Sequence, residues 1–175
     1  MKIFCIIAFI LLSAFTPIPH KTVAKVDLAR FAGKWYSLYS IPTAFDKNSC
    51  QTTTVYTLNK DGYYNVYTYG KKTTDNELHN YHSKLFPVEG TGNGQFKAQF
   101  LWPFKVDYWV IDLADDYSYV VVGHPDKKFL FIMARKPTID KKLYAELVTK
   151  CKDMGYDVSK LTCQNHTETP LPGTK

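Results

Sequence analysis

The sequence predicts an all-β domain with one C-terminal α-helix, its eight antiparallel strands running up and down and closing into a barrel. Three observations carry that expectation. Eight runs of β-branched and aromatic residues follow one another at short, even spacing between Phe31 and Arg135, the pattern of a sandwich or an up-and-down barrel. Every connection after the first is short enough for neighbouring antiparallel strands, and eight such strands close around room for one small ligand. Helical periodicity then occurs once, after the last strand.

The first strand runs from Phe31 to Ile41, entered through Ala32-Gly33 and closed by Pro42, and a polar loop follows to about Ser49. Thr52–Leu58 and Tyr63–Tyr69 come next, separated by Asn59-Lys60-Asp61-Gly62. Asp-Gly tolerates the positive φ angles of a tight turn, so this pair reads as a hairpin. A strand around Tyr81–Val88 leads through Gly90-Thr91-Gly92-Asn93-Gly94 into Phe96–Leu101. After Pro103 come Tyr108–Leu113, Tyr117–Gly123 and Phe129–Arg135, with turns at Asp115-Asp116 and His124-Pro125-Asp126. From Asp140 to Lys152 the apolar residues Leu143, Leu147, Val148 and Cys151, and later Met154, recur at helical spacing. Thr138 or Asp140 suits the N-cap and Gly155 the C-terminal stop. The apolar stripe of this helix should pack on the outside of the barrel.

Composition bounds the rest. A chain of 175 residues with 45% hydrophobic and 22% charged residues suits one globular domain. Aromatic content is high, with 13 Tyr and 11 Phe, enough to fill a core, line a cavity or stack on bases. Lys2 followed by an apolar run from Ile3 to Phe15 predicts a signal peptide over residues 1–19, cleaved somewhere between about 14 and 24. The run is too short to span a membrane. A domain over 25–164 and a flexible, Thr- and Pro-rich tail over 165–175 complete the expected organisation, in a secreted protein, extracellular or, in a bacterium, periplasmic. Cys5 stands at the start of the apolar run rather than its end, so no lipid anchor is expected. Losing Lys2 lowers the net charge from +6 to +5, and the remaining lysines fall in scattered doublets such as Lys71-Lys72 and Lys127-Lys128. Scattered doublets decorate solvated turns, and they argue against a nucleic-acid partner. Export leaves Cys50, Cys151 and Cys163, which permit one bridge and one spare thiol.

Three motifs carry a family resemblance. The stretch Phe31-Ala32-Gly33-Lys34-Trp35-Tyr36 resembles the G-x-W first strand of lipocalins. Asp107-Tyr108-Trp109-Val110-Ile111-Asp112, with Asp115-Asp116-Tyr117, resembles their second conserved region, and Phe129–Pro137, centred on Arg135, the third. The end of the helix, Lys152–Leu161, is similar to bacterial outer-membrane and plant temperature-induced lipocalins, relatives of apolipoprotein D. The resemblance covers roughly Val26 to Leu161. It implies that Gly33, Trp35, Tyr117 and Arg135 are structural, with Trp35 at the closed end and the arginine across its face, a favourable cation–π pair. It also implies that the C-terminus is tethered to the second strand, by Cys50–Cys163 or alternatively Cys50–Cys151.

Side chains alternate along a strand, so parity assigns faces. If Trp35 points inward then so does Tyr39, and if Arg135 does then so do Phe131 and Met133. Clean alternation in Phe96-Lys97-Ala98-Gln99-Phe100 places Phe96, Ala98 and Phe100 inside. Matching the family's strands adds Thr54, Tyr56, Tyr64 and Val66, and the second motif adds Tyr108 and Val110. The resulting interior fits a small hydrophobic ligand, by resemblance a fatty acid, lysophospholipid or similar lipid.

Other constellations are weaker. The Gly90–Gly94 run leads into a strand, not into the helix a phosphate loop requires. His79 and His82, three apart in an extended segment, face opposite sides, so no metal site is expected and no cofactor is implied. Asn165-His166-Thr167 is a glycosylation sequon. The reading is a carrier without catalysis of its own. The alternative is a lipid-modifying enzyme, an isomerase, in the same barrel, which would need a Cys or His inside the cavity.

Overall fold

The computed structural model describes residues 21–43, 47–74 and 77–166. The expected signal segment and the tail from residue 167 onward lie outside the described residues. Eight strands form the closed antiparallel barrel: β1 Gly33–Ile41, β2 Ser49–Leu58, β3 Tyr64–Lys72, β4 Leu78–Pro87, β5 Gln95–Leu101, β6 Phe104–Leu113, β7 Tyr119–Gly123 and β8 Leu130–Ala134. Each pairs with the next, β8 pairs with β1, and β1 pairs with β2 through Gly33↔Tyr56 to Tyr36↔Thr53, which completes the ring.

The turns follow the expected chemistry. Asn59 Oδ1 accepts from the Asp61 amide at 2.9 Å, and Gly62 takes φ +80° in the β2–β3 hairpin. Gly90 (φ +77°) and Gly92 (φ +60°) shape the β4–β5 connection. Gly92 has a second constraint: a Cβ there would lie 2.0 Å from the Ala24 carbonyl oxygen. The N-terminal segment crosses this end of the barrel as a strap. Val23 N–H donates to Val110 O, Val26 N–H to Gly92 O, and Asn93 Nδ2 to Val26 O.

Three features depart from the sequence expectation. Phe31, expected to open the first strand, instead ends a short helix, α1 (Leu28–Phe31), which Asp27 caps by accepting from Arg30 N–H at 3.0 Å. A two-residue strand, β9 (Thr162–Cys163), pairs with β1 through Tyr39 and Ser40. Past Gln164, the His166 ring lies 2.7 Å from the Ser37 carbonyl oxygen and edge-on to Tyr36. Gln164 itself is buried, its Oε1 accepting from Thr52 N–H at 2.8 Å.

The long helix α2 spans Lys141–Asp153, and of the two expected caps Asp140 is used, accepting from Lys142 and Leu143 amides. Its stripe packs on the barrel's outer wall, Leu147 and Cys151 meeting Ile111, Val121, Leu130 and Ile132. The barrel wall therefore separates two cores. Alternation along β7 and β8 sends Val120, Val122 and Met133 inward while Val121, Leu130 and Ile132 face the helix.

Candidate functional site

The two ends of the barrel differ. At the β1 start, Trp35 is fully buried and its Nε1 donates to Phe31 O at 2.8 Å. The Arg135 guanidinium lies 3.8 Å from the centre of the indole ring. It also donates to the carbonyl oxygens of Lys34 and Arg30 at 2.7 Å and of Ala32 at 2.8 Å. One side chain thus satisfies backbone acceptors that the α1–β1 corner leaves without ladder partners. The Tyr117 hydroxyl accepts from Asp27 N–H at 2.8 Å, and Arg30 stacks over its ring at 4.1 Å. Below this corner the Phe31 ring contacts those of Tyr56, Tyr64 and Phe96, with centroids between 5.2 and 5.9 Å. This is a packed floor.

Above it the barrel holds a cavity of about 470 Å³ that opens toward the far end of β1. Of the residues expected inside, Thr54, Tyr56, Val66 and Phe100 line it, as do Tyr108, Phe131 and Met133. Tyr64, Phe96 and Val110 point inward but belong to the floor, fully buried in the inner core. Tyr39 is a correction. A bulge between Ser37 and Tyr39 breaks the alternation of β1, so Tyr39 turns outward and stacks on Tyr144 of α2 with ring centroids 4.0 Å apart. Parity missed Thr52, Thr68, Ser83 and Leu85, which also line the cavity. Register could have found the β4 pair, since Val66 faces Ser83 and Tyr64 faces Leu85. The β4 sequence itself does not alternate.

The disulfide expectation is also corrected. Cys50, Cys151 and Cys163 are all free thiols in this structure. Cys163 sits opposite Tyr39 and donates to Asn165 Oδ1 at 3.3 Å, which engages it on the helix side of β1. Cys151 is buried between helix and barrel, and that burial pushes its thiol up to about 12. None of the three lines the cavity.

The cavity wall has an apolar side and a hydroxyl-bearing side. Ala98, Phe100, Phe131 and Met133 form much of the first. On the second, Thr54 and Thr68 hydroxyls lie 3.3 Å apart, and Ser37 Oγ and Thr52 Oγ1 are buried without a hydrogen-bond partner. At the bottom, Tyr56 and Tyr108 hydroxyls share a 2.6 Å hydrogen bond. Among the described lining residues none is Lys, Arg, Asp or Glu. Nor do any three described His, Cys, Asp or Glu side chains group to hold a metal.

Burial pushes the Tyr56 hydroxyl up to about 12, an effect that the Tyr108 hydrogen bond partly offsets. Tyr108 is raised well above the usual phenol range by burial and by its neighbour Tyr56. Above pH 10 the unfolded chain releases these protons while the folded barrel keeps them, so the native state binds more protons and stability falls with rising pH. The contribution is complete below pH 10 and is lost as pH climbs through about 12. Urea unfolding at rising alkaline pH should show the decline, and ultraviolet titration of phenolate should show the Tyr56–Tyr108 pair ionising only as the barrel opens. Ordinary titration of every tyrosine near pH 10 in folded protein would contradict it.

A barrel closed by stacked rings at one end and open over an apolar cavity at the other belongs to the class of one-ended, cavity-bearing β-barrels. The chain belongs to the lipocalin family: the family described as Lipocalin-like domain matches residues 26–166. It is 28% identical over 162 residues to the outer membrane lipoprotein Blc of Vibrio cholerae serotype O1, covering 91% of this chain and 95% of that protein. To temperature-induced lipocalin-1 of Arabidopsis thaliana it is 30% identical over 166 residues, 86% of this chain and 84% of the other. Among solved structures, insecticyanin from the tobacco hornworm Manduca sexta superposes with a TM-score of 0.65 at 19% identity, covering 85% of each chain.

Proposed function

We propose that this protein, once exported, binds and carries or sequesters one small lipid in its barrel, a fatty acid, lysophospholipid or similar single-chain amphiphile. The observation that carries the reading is the cavity itself: about 470 Å³, apolar along one wall, with no Lys, Arg, Asp or Glu among its described lining residues. That volume is in the range of small-molecule sites, and membership of a family whose members bind small hydrophobic ligands supports the same use. Each Å² of apolar ligand surface buried there contributes about 25 cal/mol. A charged head buried against an uncharged wall would lose its hydration without a counter-charge. The acyl chain therefore lies against Ala98, Phe100, Phe131 and Met133, and an ionic head stays at the open end in water. Thr54, Tyr56, Val66 and Tyr108 complete the contact set, while Tyr64, Phe96 and Val110 support it from the floor. The apolar segment from Ile3 to Phe15 supports export.

The isomerase reading needs a Cys or His in the cavity; no cysteine lines it, and His82, which does, stands on β4 with its ring edge-on to Tyr67. The test is native mass spectrometry of the mature protein with organic extraction of what co-purifies. One lipid per barrel is expected. Empty protein whose Trp and Tyr emission is unmoved by added fatty acids and lysolipids would sink the proposal.

A further inference from the structure

The hairpin joining β5 to β6 exposes an unusual set of side chains. Leu101, Trp102 and Phe104 retain 67%, 80% and 71% of their accessible surface. Leu78 at the start of β4 is also exposed, at 47%. Strands β5 and β6 meet at Leu101↔Phe104, and this tip stands at the open end of the barrel, opposite the Trp35 floor. A run of exposed large apolar residues is costly in water and marks a contact surface.

Two further features say what the contact is. The patch is continuous with the ligand cavity, because Leu101, Phe100 and Tyr81 line the cavity and also border the hairpin. The same end of the barrel is basic. Among the described residues, its loops and strand ends carry Lys47, Lys71, Lys72, Lys105, Lys127 and Lys128 against Glu77 and Asp126, the latter paired with Lys128. Exposed Trp flanked by lysines is the composition of a surface that sits at the headgroup level of a lipid layer, ring in the interface and ammonium groups over phosphates. A narrow hairpin tip is also poor in the flat area that a stable protein interface needs.

We propose that the open end docks reversibly on an anionic phospholipid bilayer, with Trp102 and Phe104 inserted among the headgroups and Lys72 and Lys105 over lipid phosphates. In that pose the cavity mouth faces the membrane, and an acyl chain passes between bilayer and barrel without crossing bulk water. Docking does not depend on which lipid the cavity holds. No helix among the described residues is long and apolar enough to cross a membrane, and the contact proposed is peripheral.

The test is co-sedimentation of the mature protein with phosphatidylcholine vesicles, with and without phosphatidylglycerol. Binding is expected to vesicles containing phosphatidylglycerol, to weaken with salt, and to bring a blue shift of tryptophan emission. The Trp102→Ser/Phe104→Ser variant should partition at least tenfold less and lose the blue shift. Lys105→Glu should weaken binding to anionic vesicles several-fold. Neither Trp102 nor Phe104 lines the cavity, so the double variant should keep wild-type melting and wild-type lipid binding in vesicle-free solution. That control separates failure of docking from failure of the carrier reading. Binding by the variant equal to wild type overturns the proposal, as does absence of wild-type binding to either vesicle. Equal binding to both vesicle types overturns the role of the lysines. Concentration-dependent self-association that the double variant abolishes, without vesicle binding, would assign the patch to a second copy of the chain instead.

Discussion

Trp35→Ala is expected to lower stability by about 3–5 kcal/mol, the range for removing a fully buried indole from a packed core. Trp35 has no accessible surface, donates to Phe31 O and carries Arg135 across its face at 3.8 Å. Its loss opens a void at the closed end, leaves the Phe31 carbonyl oxygen with only its longer 3.2 Å bond from Arg135, and takes the ring from beneath the guanidinium. For a domain of this size each kcal/mol moves the melting temperature by about 2–4 °C, so a drop of about 10 °C or more should appear in thermal unfolding followed by circular dichroism. Trp102→Ala serves as contrast, because exposed substitutions usually stay within about 0.5 kcal/mol. A Trp35→Ala protein that melts within a few degrees of wild type would show that the floor repacks and is not a rigid plug.

Ala98→Trp is expected to weaken ligand binding roughly a hundredfold while leaving the barrel folded. Ala98 is 4% exposed and faces Leu85 and Val106 on the neighbouring strands, with its methyl group on the cavity wall. An indole at this position fills space that the ligand's acyl chain would occupy. Excluding about 110 Å² of apolar contact removes about 2.8 kcal/mol, roughly a hundredfold in affinity. Titration with a fluorescent fatty acid measures the change. Unfolding should report a smaller effect, of about 1–3 kcal/mol, because the added ring enters open volume rather than a filled core. Wild-type affinity in this variant would place the ligand outside the barrel.

Much of this protein was determined by its sequence alone. The eight runs of β-branched and aromatic residues, their turn residues and the single helical periodicity account for the closed barrel with α2 on its outside. Where a strand is unbroken, period-two alternation assigned faces without help: Phe96 and Ala98 point inward, as do Phe131 and Met133, while Phe100 reaches the cavity within an irregularity of β5 that brings Leu101 there too. The Trp35–Arg135 pair was likewise legible from its motifs.

Only the tertiary structure decided the rest. The Ser37/Tyr39 bulge depends on β8 pairing along one edge of β1, and it sends Tyr39 to the helix instead of the cavity. Cys163 sits in β9 opposite Tyr39 of the same bulged segment, a free thiol where the resemblance implied a bridge. Height along the barrel axis was hidden as well. Tyr64, Phe96 and Val110 share a face with Val66, Phe100 and Tyr108, yet they pack into the floor while the others line the cavity. The physical reason is common to all three. Alternation is a local property of the backbone, so it reports which face a side chain takes. Depth, bulges and the company a thiol keeps are set by pairings between residues far apart in the chain, and those exist only once the barrel has closed.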